Sequence, residues 1–359
     1  MARSMLQASP NHSSSHQSLF GRLFGYSLAV DLGTANTLIY TDDGGIVVNQ
    51  PSVVCFMKQM VEGHRRVAAV GSAAKQMLGR APGNLEPVRP MRHGVIANFS
   101  AAEHMMRQFV EMARPRPFFA RRAAFTICVP GGATQVERRA IREAAVAAGA
   151  WKVNLIDESF ASAVGAGLPV SSATGSMVVD IGGGTTEIGV IALGGIAYGG
   201  SIRVGGDQFD QAIVNYVRNV YGVVLGEQTA EHVKKTIGSA LRDVPEQKMC
   251  ATGRSVDDGL PRTIEIRTQD VADAIAVPLR QMLVAVKAAL ENAPPELVTD
   301  IANTGVVLTG GGALLGNLPR YLADELGLDV RVADEPLTCA VRGAGAAAEA
   351  GLLDAYAYE

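Results

Sequence analysis

Apolar and polar positions change period several times along this chain, and each change marks an element. An apolar run, Leu28-Ala29-Val30, stops at Asp31, crosses the small residues Gly33, Thr34, Ala35 and Asn36, and resumes at Leu38-Ile39. That is a strand, a tight turn and a second strand. The same pattern returns at Met177-Val178-Val179, stops at Asp180, crosses Gly182, Gly183, Gly184 and Thr185, and resumes at Ile188. The chain therefore carries two copies of one polar-tipped hairpin, with glycines where the backbone must turn sharply. A third apolar run, Val306-Val307-Leu308-Thr309, breaks at Gly310, Gly311, Gly312 and Ala313 ahead of a helix expected at 317–322. Alternation at Ala123, Phe125, Ile127 and Val129 predicts a further strand, and helical spacing predicts helices at 72–78, 101–112, 134–148 and 229–235. Between about Cys55 and Arg92, short apolar runs alternate with Lys, Arg and Gly, which predicts a small inserted subdomain. Interleaved strands and helices imply an α/β layered fold.

At 359 residues the chain exceeds one core, so at least two domains are expected. Residues 1–18 are polar, with Ser13, Ser14 and Ser15, and read as a disordered tail. A net charge of −3 gives no electrostatic footprint for nucleic acid, and no such partner is expected. Cys55, Cys128, Cys250 and Cys339 lack paired spacing, which suits reduced thiols. No apolar run reaches the ~18 to 20 residues of a membrane span, and the N-terminus lacks a secretory apolar core, so a cytoplasmic location is expected.

Two such hairpins facing each other would offer backbone N–H groups and hydroxyls to phosphate oxygens. Gly33, Thr34, Ala35 and Asn36 would lie on one side, with Gly182, Gly183, Gly184 and Thr185 on the other. Asp31 and Asp180 would hold a hydrated Mg2+ through its waters, because Mg2+ gives up its hydration shell reluctantly. The glycines at 310–312, with Ala313, would let backbone approach a flat nucleoside. The plain structural alternative is three tight turns and two turn-capping aspartates. Glu158, ahead of an Ala-rich helix, is the choice for orienting an attacking water, with Asp180 and Thr186 as further catalytic candidates. Its alternative is a carboxylate that stabilises a helix start by ~0.3 to 1 kcal/mol. Glu231 and Lys234 share one helix face, where a solvated surface pair is the ordinary reading.

These residues carry a resemblance. The two Asp-Gly hairpins and the Thr-Gly-Gly-Gly segment, in this order, resemble the actin and heat-shock chaperone ATPase superfamily. Segments 81–84, 89–91, 94–97, 135–142, 165–170, 204–207, 237–240 and 294–297 are similar, more narrowly, to the MreB family of bacterial actin homologues. The resemblance implies an actin-like, duplicated ribonuclease H-like, two-domain ATPase fold. Domain I would hold 26–171 and 345–359 with an insert at about 58–95, and domain II 172–344 with an insert at about 208–271. It implies ATP and Mg2+ as ligands and slow ATP hydrolysis coupled to filament turnover. It also implies head-to-tail self-assembly on the inner face of the plasma membrane, a role in cell shape, and work with the cell-wall elongation machinery, MreC, MreD and RodZ. The family's Glu-Glu-Pro places its second glutamate near the γ-phosphate, which assigns that role to Glu158; this chain has Asp157 for the first Glu and Ser159 for Pro. Asn98 stands where relatives carry Asp. The family's helix over the ribose and adenine assigns Glu231 and Lys234, with Lys235 an equal contact and Gly310 to Ala313 across the base. A chaperone-type ATPase would need a peptide-binding domain, and a small-molecule kinase a second substrate pocket. Neither is found in the sequence.

Two segments read as membrane-facing. Leu19, Phe20, Leu23 and Phe24, within 19–25, fall on one face of a helical turn, and a hydrophobic staple onto the first strand is the equal alternative. Phe118 and Phe119 sit in a proline-constrained loop among Arg114, Arg116, Arg121 and Arg122, where relatives place a membrane loop.

Overall fold

Two five-stranded sheets repeat one wiring. The computed structural model describes residues 25–61, 64–113 and 122–353. Leu19, Phe20, Leu23, Phe24, Phe118 and Phe119 lie outside the described residues.

In the first half, β1 (Gly25–Leu32), β2 (Asn36–Thr41) and β3 (Gly45–Pro51) form an antiparallel meander. An insert follows, in which β4 (Val54–Val61) pairs with β5 (His64–Val70) and β6 (Leu85–Val88) beside the helix α1 (Ser72–Lys75). That helix is shorter than the expected 72–78, and the turns after it reach Gly79, whose φ of 70° only glycine adopts freely. A two-strand ribbon, β7 (Met91–Arg92) with β8 (Val95–Ile96), leads to α2 (Phe99–Ala113), β9 (Arg122–Val129), α3 (Gln135–Ala147) and β10 (Ala150–Asp157). β9 lies parallel to β1, and β10 parallel to β9. Thr134 caps α3 through a reciprocal box with Glu137, which explains why the helix starts where its first-turn acid predicts.

After α4 (Glu158–Gly165) the wiring repeats. β11 (Ser176–Ile181), β12 (Thr186–Ala192) and β13 (Gly195–Ile202) form the second meander. The second insert brings α5 (Gly206–Tyr221), β14 (Val223–Val224), α6 (Glu227–Ile237), β15 (Lys248–Ser255) and β16 (Pro261–Arg267). Then come α7 (Thr268–Asn292), α8 (Pro295–Thr304), β17 (Val306–Thr309), α9 (Leu318–Leu326), β18 (Val330–Val332) and α10 (Cys339–Glu349). β17 is parallel to β11, and β18 to β17. The sheet orders β3-β2-β1-β9-β10 and β13-β12-β11-β17-β18 are thus equivalent strand for strand. This is the duplicated α/β architecture of the actin-like fold.

Both central strands are buried on both faces, which is why their sequences run apolar rather than alternating. Leu28, Val30 and Leu32 face the first half's own core with Phe125 and Ile127, and Met177, Val179 and Ile181 face the second half's own core. Ala29 and Val178 face a shared layer filled by Phe160 and Ala161 of α4 and Val341 and Ala344 of α10. There the two helices cross in backbone contact. A Cβ on Gly343 would fall 1.8 Å from the Ala161 carbonyl oxygen, so no other residue fits. This packing begins at Cys339, the first residue of α10.

Candidate functional site

Strand alternation aims both aspartates into the shared layer. Asp31 follows Ala29 by two in β1, and Asp180 follows Val178 by two in β11, and each is the penultimate residue of its strand. Beyond them the hairpin turns meet. A Cβ on Gly183 would lie 2.8 Å from that of Ala35, and one on Gly184 would lie 2.6 Å from Thr34 Oγ1. Only glycine allows the two tips to approach so closely. The second turn is closed by the Gly182 N–H donating to the Thr185 carbonyl at 2.9 Å. The first is braced by Ser52 Oγ donating to Gly33 O at 2.6 Å, and Thr34 Oγ1 accepts from Gly94 N at 3.0 Å.

The cleft between the tips is lined by Asp31, Gly33, Thr34, Ala35, Asn36, Glu158, Asp180, Gly182, Gly183, Gly184, Thr185, Gly310 and Gly311. Of the nucleoside glycines, Gly310 and Gly311 reach it. Gly312 is packed on Ile181, whose Cγ2 would be 2.2 Å from an added Cβ, and Ala313 is buried. Glu158 opens α4, whose N-cap is Asp157. Asp157 Oδ1 accepts from Ser159 N at 2.9 Å and from Ser159 Oγ at 2.6 Å. A cap of this kind contributes about 1 kcal/mol, so Asp157 and Ser159 start the helix without a proline.

Thr186 does not line this cleft. It pairs with Ile181 and, with Ile188 and Val190, faces the second half's own core; it is fully buried and donates to Val204 O at 2.7 Å. One residue on, alternation turns Glu187 to the shared layer instead. Glu231, Lys234 and Lys235 do not line this cleft. Lys75 Nζ of the first insert lies 2.9 Å from Glu231 Oε2, and Lys235 Nζ 2.6 Å from its other oxygen. Burial opposes ionisation of Glu231, but these two lysines outweigh it and hold its pKa down at about 2. Lys234 bridges to Asp210 at 2.8 Å and donates to Gly206 O at 2.9 Å, just behind the second hairpin.

The electrostatics of the cleft are one-sided. Burial, then the neighbouring Asp180, pushes Asp31 up to about 7. Glu158 is raised well above the usual carboxylate range by burial, then by Asp180 and Asp31. Burial also raises Asp180, while hydroxyls of Ser162 and Thr309 pull it back. Glu187 is held at about 7 by burial, with Asp157 adding, against hydrogen bonds from Ser201 and Gly131. Carboxylates that raise one another's pKa in a dry cleft mark a place for positive charge. Direct ligation by three side chains is not offered: among the described residues no group of three or more His, Cys, Asp or Glu could hold an ion. Two carboxylates lining one cleft beside the backbone N–H groups of two turns do fit Mg2+ held through its waters, since the ion keeps much of its hydration shell.

Reading the sequence missed Ser162, Thr309 and Glu187. Ser162 was marked only by its i+4 spacing from Glu158, and Thr309 only by standing just ahead of the glycine run.

The sequence profile described as MreB/Mbl protein matches residues 25–353. The cell shape-determining protein MreB of Escherichia coli (strain K12) is 52% identical over 330 residues, covering 92% of this chain and 95% of that protein. The crystal structure of MreB5 of Spiroplasma citri bound to AMPPNP matches with a TM-score of 0.85 at 33% identity, over 92% of this chain and 98% of that one. The MamK double helical filament matches with a TM-score of 0.76 at 22% identity, over 90% of this chain and 99% of that one, a likeness of fold.

Proposed function

The chain belongs to the MreB/Mbl family, a bacterial actin-like cytoskeletal protein, and from that premise we propose that its cleft binds Mg-ATP and hydrolyses it slowly, governing filament assembly. The observation that carries this is the pair of glycine hairpins meeting tip to tip, with Asp31 and Asp180 aimed into one layer beneath them. Support for the nucleotide comes from the AMPPNP bound to the S. citri relative. In this reading the N–H groups of both turns surround the phosphates, and Asp31 and Asp180 would hold a Mg2+ ion through its waters. Glu158 orients the attacking water in line and accepts its proton. A bound Mg2+ would supply neutralisation of the charge on the transferred phosphate. Glu231, Lys234 and Lys235 are the proposed nucleoside contacts.

Head-to-tail contacts between copies give open polymers, the form a scaffold for cell shape and cell-wall synthesis requires. Among the described residues no helix is long and apolar enough to cross a membrane. Attachment to the inner face of the plasma membrane is assigned, from the sequence pattern alone, to Phe118 and Phe119 among four arginines, with Leu19, Phe20, Leu23 and Phe24 as the second anchor. Electron microscopy of the purified chain on anionic vesicles tests the whole reading. Filaments should cover the vesicles in Mg-ATP and vanish in EDTA; bare vesicles in both would reject it.

Replacing both Phe118 and Phe119 by Ala should weaken vesicle binding without touching nucleotide affinity. Two inserted phenylalanines at about 1.5 to 3 kcal/mol each amount to ~3 to 6 kcal/mol per protomer. The share from Arg114, Arg116, Arg121 and Arg122 should fade with salt, and the aromatic share should not. Cosedimentation at low and high salt separates them. A double variant that pellets like wild type at high salt would move the anchor to 19–24.

A further inference from the structure

The two aspartates of the cleft are not held alike. Asp180, 3% exposed, accepts through Oδ2 the hydroxyl of Ser162 from α4 and that of Thr309 from the end of β17, the latter at 3.0 Å. Both donors are fully buried. Across the duplication, the residue that faces Asp31 in the parallel neighbour strand is Cys128, where Thr309 faces Asp180. A thiol is a weak donor, and Cys128 Sγ is turned to the Ala340 carbonyl at 3.5 Å.

We propose that Ser162 and Thr309 are positioning residues that lock the Asp180 carboxylate as the standing acceptor for a water of hydrated Mg2+, leaving Asp31 as the carboxylate that adjusts to the nucleotide. The assignment rests on the Mg-nucleotide reading above and deepens it. A carboxylate turns easily about its last torsion, where the preference is broad. Two O–H donors on one oxygen remove that freedom and fix the direction of the other. Oδ1 is kept clear by Gly310, where an added Cβ would come within 2.5 Å of it. Ser162 also stands one helical turn after Glu158, on the same face of α4. A single rigid helix thereby sets both the water-orienting carboxylate and the direction of the metal-side one, and ties their spacing together.

The test is a Mg2+ titration of the full chain at fixed fluorescent ADP, with melting temperature as the check on folding. Ser162→Ala and Thr309→Val should each raise the half-saturating Mg2+ roughly tenfold, the low end of what losing a partner behind a metal-holding group costs. Thr309→Ser keeps the hydroxyl and should stay within about twofold of wild type, the spread expected when a hydrogen bond is retained. Binding of the nucleotide in excess EDTA should be the same in all four proteins. Half-saturation unchanged in both hydroxyl-less variants overturns the assignment. So does a Thr309→Ser loss as large as that of Thr309→Val, or a fall in EDTA binding that matches the fall in Mg2+, since each points to packing rather than orientation. A wild-type chain that binds no nucleotide in either condition would instead remove the reading beneath it, and the assignment with it.

Discussion

Asp180→Ala should abolish Mg-ATP binding, with an affinity loss beyond the roughly 100-fold seen for residues standing behind a metal ligand, while the chain still folds. The carboxylate is one of two that face the proposed ion, and its loss leaves Asp31 alone. Folding should survive because two terms oppose. Ser162 and Thr309 lose their shared acceptor, at about 1 to 3 kcal/mol for buried donors left unpaired. Against that, a carboxylate whose ionised form burial penalises has been removed, and with it the repulsion acting on Asp31 and Glu158. Calorimetric titration beside a thermal melt checks both halves. Unchanged affinity in a folded variant would take the metal-side role away from Asp180.

Glu158→Ala should slow phosphate release by about 100-fold or more, as loss of a positioned base does, with nucleotide affinity nearly unchanged. Filaments should then persist longer in ATP. Burial and the nearby Asp180 and Asp31 raise the pKa of Glu158, so its proton-accepting form is lost as pH falls through that raised value. Phosphate release by wild type should drop on acidification, and the variant should lack that slope. Release at the wild-type rate would reduce Glu158 to a residue at a helix start.

What could be read from the sequence was what is local. Each hairpin announces itself by an apolar strand, an aspartate and a glycine turn within about a dozen residues, and Thr34, Ala35, Gly183 and Gly184 lie at the tips that meet. Pairings made over long separations were not legible. Nothing near Asp180 shows that Thr309 will stand beside it in β17, or that Asp31 will face Cys128 in β9. Glu231 was read with Lys234 because they share a helix face. Its ion pairs reach instead to Lys235 and to Lys75 in the other half's insert, while Lys234 turns to Asp210. Thr186 sends its hydroxyl to Val204, and the next step of strand alternation brings Glu187 to the shared layer. Nor is the meeting of α4 and α10 legible, because the Ala and Gly that let them touch carry little periodic signal.

Amide hydrogen exchange of the wild-type chain, with and without a Mg-bound non-hydrolysable ATP analogue, tests the location of the nucleotide most directly. Ordering of the cleft predicts slowed exchange in three separate segments, 31–36, 182–186 and 309–312. Exchange unchanged in these segments while the analogue is bound, or protection confined to other parts of the chain, would contradict a nucleotide seated between the duplicated hairpins.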